Sequence, residues 1–221
     1  GYNALTAVGS NTVLINLITN VFVGLSVGTN VLTAQYYGAK NDSDLKQTVH
    51  TSMLLSLYCG LLLTVIGLVG APEILKLMQA PPEVIGLAVL YLRIYFLGMA
   101  SMMIYNFGSA ILRAIGDTKR PLYYLLSAGI VNVLLNLFFV IVCHLGVAGV
   151  ALATVISQTI SAFLVVRCLM KEQSSIHLEL KELAISKEKL GKIMQIGLPA
   201  GFQGTIFSLS NVVIQSAVNS F

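Results

Sequence analysis

Charge is scarce in this chain. Only 10% of its 221 residues are Asp, Glu, Lys or Arg, against 56% hydrophobic, and tryptophan is absent. So few charges cannot cover the surface of a water-soluble domain of this length, and with a mean hydropathy of +0.85 the composition is that of an integral membrane protein. The apolar runs lack the apolar/polar alternation of outer-membrane barrel strands, which leaves helices. The three cysteines, Cys59, Cys143 and Cys168, lie within or at the end of apolar runs and have no Cys-x-x-Cys partner, so they read as small hydrophobes rather than metal or redox groups. A basic n-region is also missing, so no cleavable signal peptide is expected, and the opening without Met points to a start further upstream.

What is present is apolar sequence in long stretches. A bilayer core of about 30 Å needs roughly 20 apolar residues per helix, and about six runs meet that length, near 12–37, 51–71, 84–111, 122–144, 147–169 and 193–219. Basic residues follow alternate runs. Lys40 and Lys46 come after the first, Arg113, Lys119 and Arg120 after the third, and Arg167, Lys171, Lys181, Lys187, Lys189 and Lys192 around the segment after the fifth. By the positive-inside rule those loops are cytoplasmic, so the net charge of +4 reports topology and not a nucleic-acid partner. Residues 172–191 mix glutamates and lysines and read as a cytoplasmic linker, with Ser186 a candidate cap for the helix that follows.

Several motifs look chemical. Gly24-Leu-Ser-Val-Gly28 matches the Gly-x-Ser-x-Gly of serine hydrolases, but that pattern needs a strand before it and an activating base. Here it lies in an apolar helical run, and it reads as a small-residue helix contact. Gly197-Leu-Pro-Ala-Gly201 has the same spacing, and Pro199 within it removes a backbone donor, so a hinge is expected there. Arg93 is the only charge well inside a run; an arginine at the membrane centre costs roughly 2.5–3.5 kcal/mol, so it either snorkels to the outer surface or faces a polar pathway. His50, His144 and His177 fall at run ends or in the linker, where solvated imidazoles are expected.

Uncharged polar residues recur at membrane depth. Asn132 and Asn136 share one helix face in Ile130-Val-Asn-Val-Leu-Leu-Asn-Leu-Phe-Phe-Val-Ile-Val142, directed into a helix contact or toward a polar path. Asn16, Asn20, Asn30, Asn106, Thr154, Ser157, Gln158 and Gln203 add to them, and Asn211, Gln215 and Asn219 repeat every four residues, a spacing that would line a wall. Some serve only as helix glue, at on the order of 1 kcal/mol each. Their number fits a bundle around a polar cavity.

Four motifs in order carry a resemblance. Gly24-Leu-Ser-Val-Gly-Thr-Asn-Val-Leu-Thr-Ala-Gln-Tyr-Tyr-Gly-Ala39, Leu112-Arg-Ala-Ile-Gly-Asp-Thr-Lys-Arg-Pro121, Gly146-Val-Ala-Gly-Val-Ala-Leu-Ala-Thr-Val-Ile-Ser-Gln158 and Ile196-Gly-Leu-Pro-Ala200 resemble the multidrug and toxic compound extrusion (MATE) family. The resemblance implies an all-α polytopic bundle, part of a two-lobe, twelve-helix antiporter that exports drugs and other amphipathic organic cations across the cytoplasmic membrane in exchange for sodium ions or protons. On that plan residues 1–171 are helices two to six of the N-terminal lobe, 172–191 the linker, and 192–221 the first helix of the C-terminal lobe. Helix one and the rest of the second lobe are then partners supplied by the remainder of the polypeptide, membrane lipid surrounds the bundle, and no cofactor beyond the coupling ion is expected.

In some members of the family an ion site uses an aspartate on helix one, an asparagine and an aspartate one turn apart on helix five, and a threonine on helix six. The resemblance places Asn132, Asn136 and Thr154 at the last three positions, as a cation- or substrate-binding set able to hold sodium. Asn136 stands where those relatives have aspartate, which removes a proton acceptor and keeps an amide oxygen for sodium. Other members couple through a glutamate on helix seven, yet no acid occurs from Gly191 to Phe221. Gln203, Asn211, Gln215, Asn219 and Arg93 are the further pathway-lining candidates. A lipid or oligosaccharide flippase of the same architecture is the alternative function, and it requires cationic residues in its cavity. An intramembrane enzyme is disfavoured, since no acid pair, His cluster or activated serine lies at membrane depth.

Overall fold

A computed structural model describes residues 2–77, 82–83 and 85–220, and side chains from residue 16 onward except at 74, 75, 77, 212, 215, 216 and 219. The architecture is all-α. Helix α1 spans Tyr2–Gly38, α2 Asp42–Leu77, α3 Ile85–Leu97, α4 Met99–Ala114, α5 Lys119–Leu137, α6 Val147–Lys171 and α7 Lys187–Asn219. A π-helical turn, Phe138–Val142, extends α5, and one 3-10 turn, Leu180–Glu182, sits in the linker. Among the described residues five stretches are long and apolar enough to cross a membrane: 16–38, 42–73, 85–114, 119–142 and 147–171. α7 is long enough as well but is more polar, carrying Gln195, Gln203, Ser208, Ser210 and Asn211.

The helices outrun the apolar runs that mark them, because a helix continues past the hydrocarbon boundary until a cap ends it. At the α1–α2 turn Lys40 adopts a left-handed conformation (φ 55°) and the Asn41 N–H bonds back to the Tyr36 carbonyl at 3.0 Å, while the Asn41 side chain accepts from the Asp44 N–H. Gly116 (φ 92°) ends α4 the same way, with the Asp117 N–H on the Leu112 carbonyl. The Asp117 carboxylate then accepts the Arg120 N–H and pairs with its guanidinium, which also reaches Glu172 at the end of α6 at 2.9 Å. Ser186 caps α7 by accepting the Lys189 N–H.

The third run is interrupted at Gly98, which separates α3 from α4. A Cβ there would meet the Gln158 side-chain oxygen at 2.6 Å, and Thr64 donates to the Phe96 carbonyl beside the break at 2.9 Å. α4 lies in the middle of the bundle, against α1, α2 and α6, and its Met99, Met103, Phe107 and Ile111 pack with Leu25, Val49, Leu63, Val165 and Leu169 in the core. α5 leans mainly on α6 and leaves Leu122, Leu126, Ile130, Val133, Leu134 and Leu137 exposed, an apolar face suited to lipid or to another helix.

The most extensive helix pair is α1 with α7, running antiparallel. A Cβ on Gly24 would lie 2.3 Å from the Gly201 Cα, one on Gly28 2.4 Å from the Ile193 carbonyl oxygen, and one on Gly197 2.6 Å from the Leu25 Cα. The two Gly-x-x-x-Gly motifs therefore meet each other, and only hydrogen at these positions permits the approach. Ser26, between the glycines, donates to the Val23 carbonyl at 2.6 Å.

Candidate functional site

Asn132 and Asn136 face each other along α5. The Asn136 Nδ2 donates to the Asn132 Oδ1 at 2.9 Å, and both residues are half-buried. The Asn136 Oδ1 is shielded from solvent and has no hydrogen-bond partner among the described residues. An unmet amide acceptor in that setting costs on the order of 1–3 kcal/mol, and it offers a lone pair to a cation or a donor. The π-helical turn begins two residues later, where its wider winding reshapes the end of α5.

Thr154 lies on α6, the helix against which α5 packs, with its hydroxyl on the Val150 carbonyl at 3.0 Å. Among the described residues no hydrogen bond joins it to either asparagine. The two asparagines supply amide oxygens and Thr154 a hydroxyl, with no carboxylate among the three, and the structure joins only the asparagines to each other. Among the described residues no group of three or more His, Cys, Asp or Glu is placed to hold a metal ion.

Between α4, α5 and α6 lies a cavity of about 520 Å3, lined by Tyr105, Asn106, Ser109, Arg113, Gln158 and Ser161 among others. It widens where α4 and α5 diverge, for the Tyr105 hydroxyl on the Pro121 carbonyl at 2.9 Å ties these helices only near their shared turn. Arg113 carries its charge. The sequence places Arg113 simply as a loop residue, and nothing in the linear pattern indicates that it borders this cavity.

The remaining candidates are placed as follows. Arg93 is exposed, and its Nε donates to the Leu68 carbonyl at 3.3 Å. Leu68 is four residues before Pro72, which lies inside α2 and has no N–H to offer that carbonyl, so the guanidinium takes the place of the missing donor. Pro199 lies inside α7, between the glycines that touch α1. Gln203 and Asn211 are exposed on the same helix, while the Gln215 and Asn219 side chains fall outside the described residues. Several other intramembrane polar groups join helices: Asn20 to Ser208, Asn30 to the Ala110 carbonyl, Thr29 to Ser52 and Ser101 to Thr159.

His50 is buried rather than solvated. Its Nδ1 lies 2.8 Å from the Lys46 carbonyl and its Nε2 accepts the Glu179 N–H at 3.1 Å, which requires the neutral ring with its proton on Nδ1. Thr51 likewise accepts the Ser186 N–H, and Lys46 pairs with Glu182 at 2.7 Å. Ile176 and Leu178 of the linker are buried beside them. The three basic loops thus gather at one end of the bundle.

The family model MatE matches residues 1–138. A probable multidrug resistance protein of Bacillus subtilis, YoeA, is 34% identical over all of this chain and 49% of its own length. The chain spans about half the length of the curated relatives it matches. A multidrug resistance MATE family transporter of the MOP superfamily in its outward-facing conformation superposes with a TM-score of 0.89 at 27% identity, over 98% of this chain and 48% of that one. The inward-facing conformation of a transporter so described gives 0.85, again at 27% identity, over 95% and 48%. These relatives are membrane transporters, not enzymes.

Proposed function

Because this chain belongs to the MatE family, we propose that the full-length protein is an antiporter that exports drugs and other amphipathic organic cations across the cytoplasmic membrane in exchange for sodium ions or protons. The observation that carries the reading is the buried, unpaired Asn136 Oδ1 beside Asn132 in a helix otherwise apolar at that depth. A polar group kept at such cost in an apolar setting is a functional candidate. On this reading Asn132, Asn136 and Thr154 bind the coupling cation or substrate, residues 1–171 form the first lobe, 172–191 link the lobes, and 192–221 open the second. On the same reading Gln203, Asn211, Gln215 and Asn219 are the pathway-lining candidates of α7, and Pro199 lets that helix bend.

Drug efflux by the full-length protein in a pump-deficient host tests the function. Expression should lower drug accumulation, and Asn132→Leu should cut efflux at least tenfold at equal expression. Equal accumulation with and without the protein would remove the exporter reading. Arg113 in the cavity favours one second reading, a flippase for lipid or oligosaccharide carrying phosphate or sugar-acid groups. In that case Arg113→Gln would abolish headgroup translocation in proteoliposomes, and drug accumulation would stay unchanged.

A further inference from the structure

Lys189 is the most deeply buried charge described in the structure, with 1% of its side chain exposed. It sits in the first turn of α7, beyond the glycine contacts, at the end where the basic loops gather. Its ammonium has three protons and three polar neighbours: the Asp44 carboxylate at 3.0 Å, the Tyr36 hydroxyl at 3.1 Å and the Glu188 carboxylate at 3.4 Å. It also lies 4.7 Å from the centre of the Tyr36 ring. Lys192, one turn on, donates to the same Tyr36 hydroxyl at 3.1 Å and to Glu188 at 3.1 Å. Burial pulls the Lys189 pKa down, but the bonds to Asp44 and Tyr36 outweigh it and the amine is held above its usual range. The charge is kept.

The cluster joins the end of α1 (Tyr36), the start of α2 (Asp44) and the start of α7. Going away from it along the α1–α7 seam come Gly28 on Ile193, Gly24 on Gly201, and then Asn20 on Ser208. In the middle of that seam glycines bring the two backbones together, with Leu25 packed over Gly197. Polar contacts tie it near both ends. Of the two tied ends only the Lys189 end carries full charges, and a lysine with 1% of its side chain exposed keeps its charge there only while its partners stay in place, so the contact is either made or lost.

We propose that Lys189, Tyr36 and Asp44 form the latch of a gate at the basic-loop end of the α1–α7 seam, holding that end shut until α7 swings away from α1 and α2. This rests on the reading above that α7 begins the second lobe. The state in hand has the latch closed. Alternating access then requires the latch to break in each cycle.

Spin labels at Tyr37→Cys and Lys187→Cys, both exposed positions beside the latch, read the gate in the full-length protein freed of its other cysteines and placed in lipid nanodiscs. Pulsed dipolar spectroscopy of the parent should show one short distance. Lys189→Met, close in length and without charge, should add a longer population, and Lys189→Arg should restore the single one. A Lys189→Met distribution that overlays the parent's overturns the latch. Should Lys189→Met fail to elute as one folded species, Tyr36→Phe, which removes the hydroxyl shared by both lysines, is measured against the same two outcomes. Drug efflux is assayed in parallel: a protein that exports nothing yet shows the shift keeps the latch and loses the exporter reading, and an exporter whose distances ignore both variants does the reverse.

Discussion

At the scale of single residues, intramembrane polar groups divide by what they bond to. Asn20, Asn30 and Thr29 close hydrogen bonds to neighbouring helices, so each is accounted for by packing. Asn136 is different, because its oxygen has no described partner. Replacing both asparagines by leucine should leave the fold at least as stable, as two apolar side chains of similar size relieve an unmet acceptor worth about 1–3 kcal/mol. Transport should nevertheless be lost. Thermal unfolding of the full-length protein beside its efflux rate separates the two, and a destabilised variant would make the pair structural. Arg93 makes the converse case. Pro72→Ala supplies the donor that Leu68 lacks, so Arg93→Gln should cost about 1 kcal/mol alone and close to nothing in the Pro72→Ala background. A double-mutant cycle on thermal stability checks it. The sequence marks Arg93 as exceptional but hides the reason, since the apolar run ends at residue 71 while α2 continues through Pro72 to Leu77.

At the scale of elements, the helices and their small-residue contacts were legible because each rests on local signals, namely run length, glycine spacing and the Ser186 cap. Which surfaces meet was not. Gly24-x-x-x-Gly28 and Gly197-x-x-x-Gly201 each announce a close contact, yet about 170 residues separate them and nothing local says they touch each other. Gly201→Val should force α1 and α7 apart and cost about 1–3 kcal/mol or more, whereas Gly191→Ala, where a Cβ meets nothing within 4 Å, should stabilise α7 by up to about 1 kcal/mol. The unfolding temperatures of the two variants decide it. The linker was legible as charged sequence, but its docking was not, because His50 reads as a solvated imidazole until Glu179 is seen above it. The Lys46 hydrogen bond holds the Glu182 carboxyl below its usual 4.5, so this contact is complete above about pH 4.5 and lost as pH falls through the lowered value. A spin label at Lys181→Cys should therefore show a step in mobility as pH falls through that value, and Lys46→Met should remove the step while the other linker contacts stay in place.

At the scale of the whole molecule, the fold turns a pattern in the sequence into a polarity. The 39–41 turn, the 115–118 turn and residues 172–186 lie at one end, tied by Lys46 to Glu182, Arg120 to Glu172 and Lys189 to Asp44. The opposite end is the 143–146 turn, with Cys143 exposed, while Cys59 and Cys168 are buried. If loop charge sets orientation, the first end is cytoplasmic and Cys143 faces out. A membrane-impermeant maleimide applied to intact cells should then label Cys143 in the full-length protein, and a Ser174→Cys variant lacking Cys143 should react only after permeabilisation. The reverse pattern would put the linker and the Lys189 cluster outside, and export would then have to begin at the other end of the α1–α7 seam. The reagent reports only which side each loop occupies, so it fixes the direction of the gate without assuming that anything is transported.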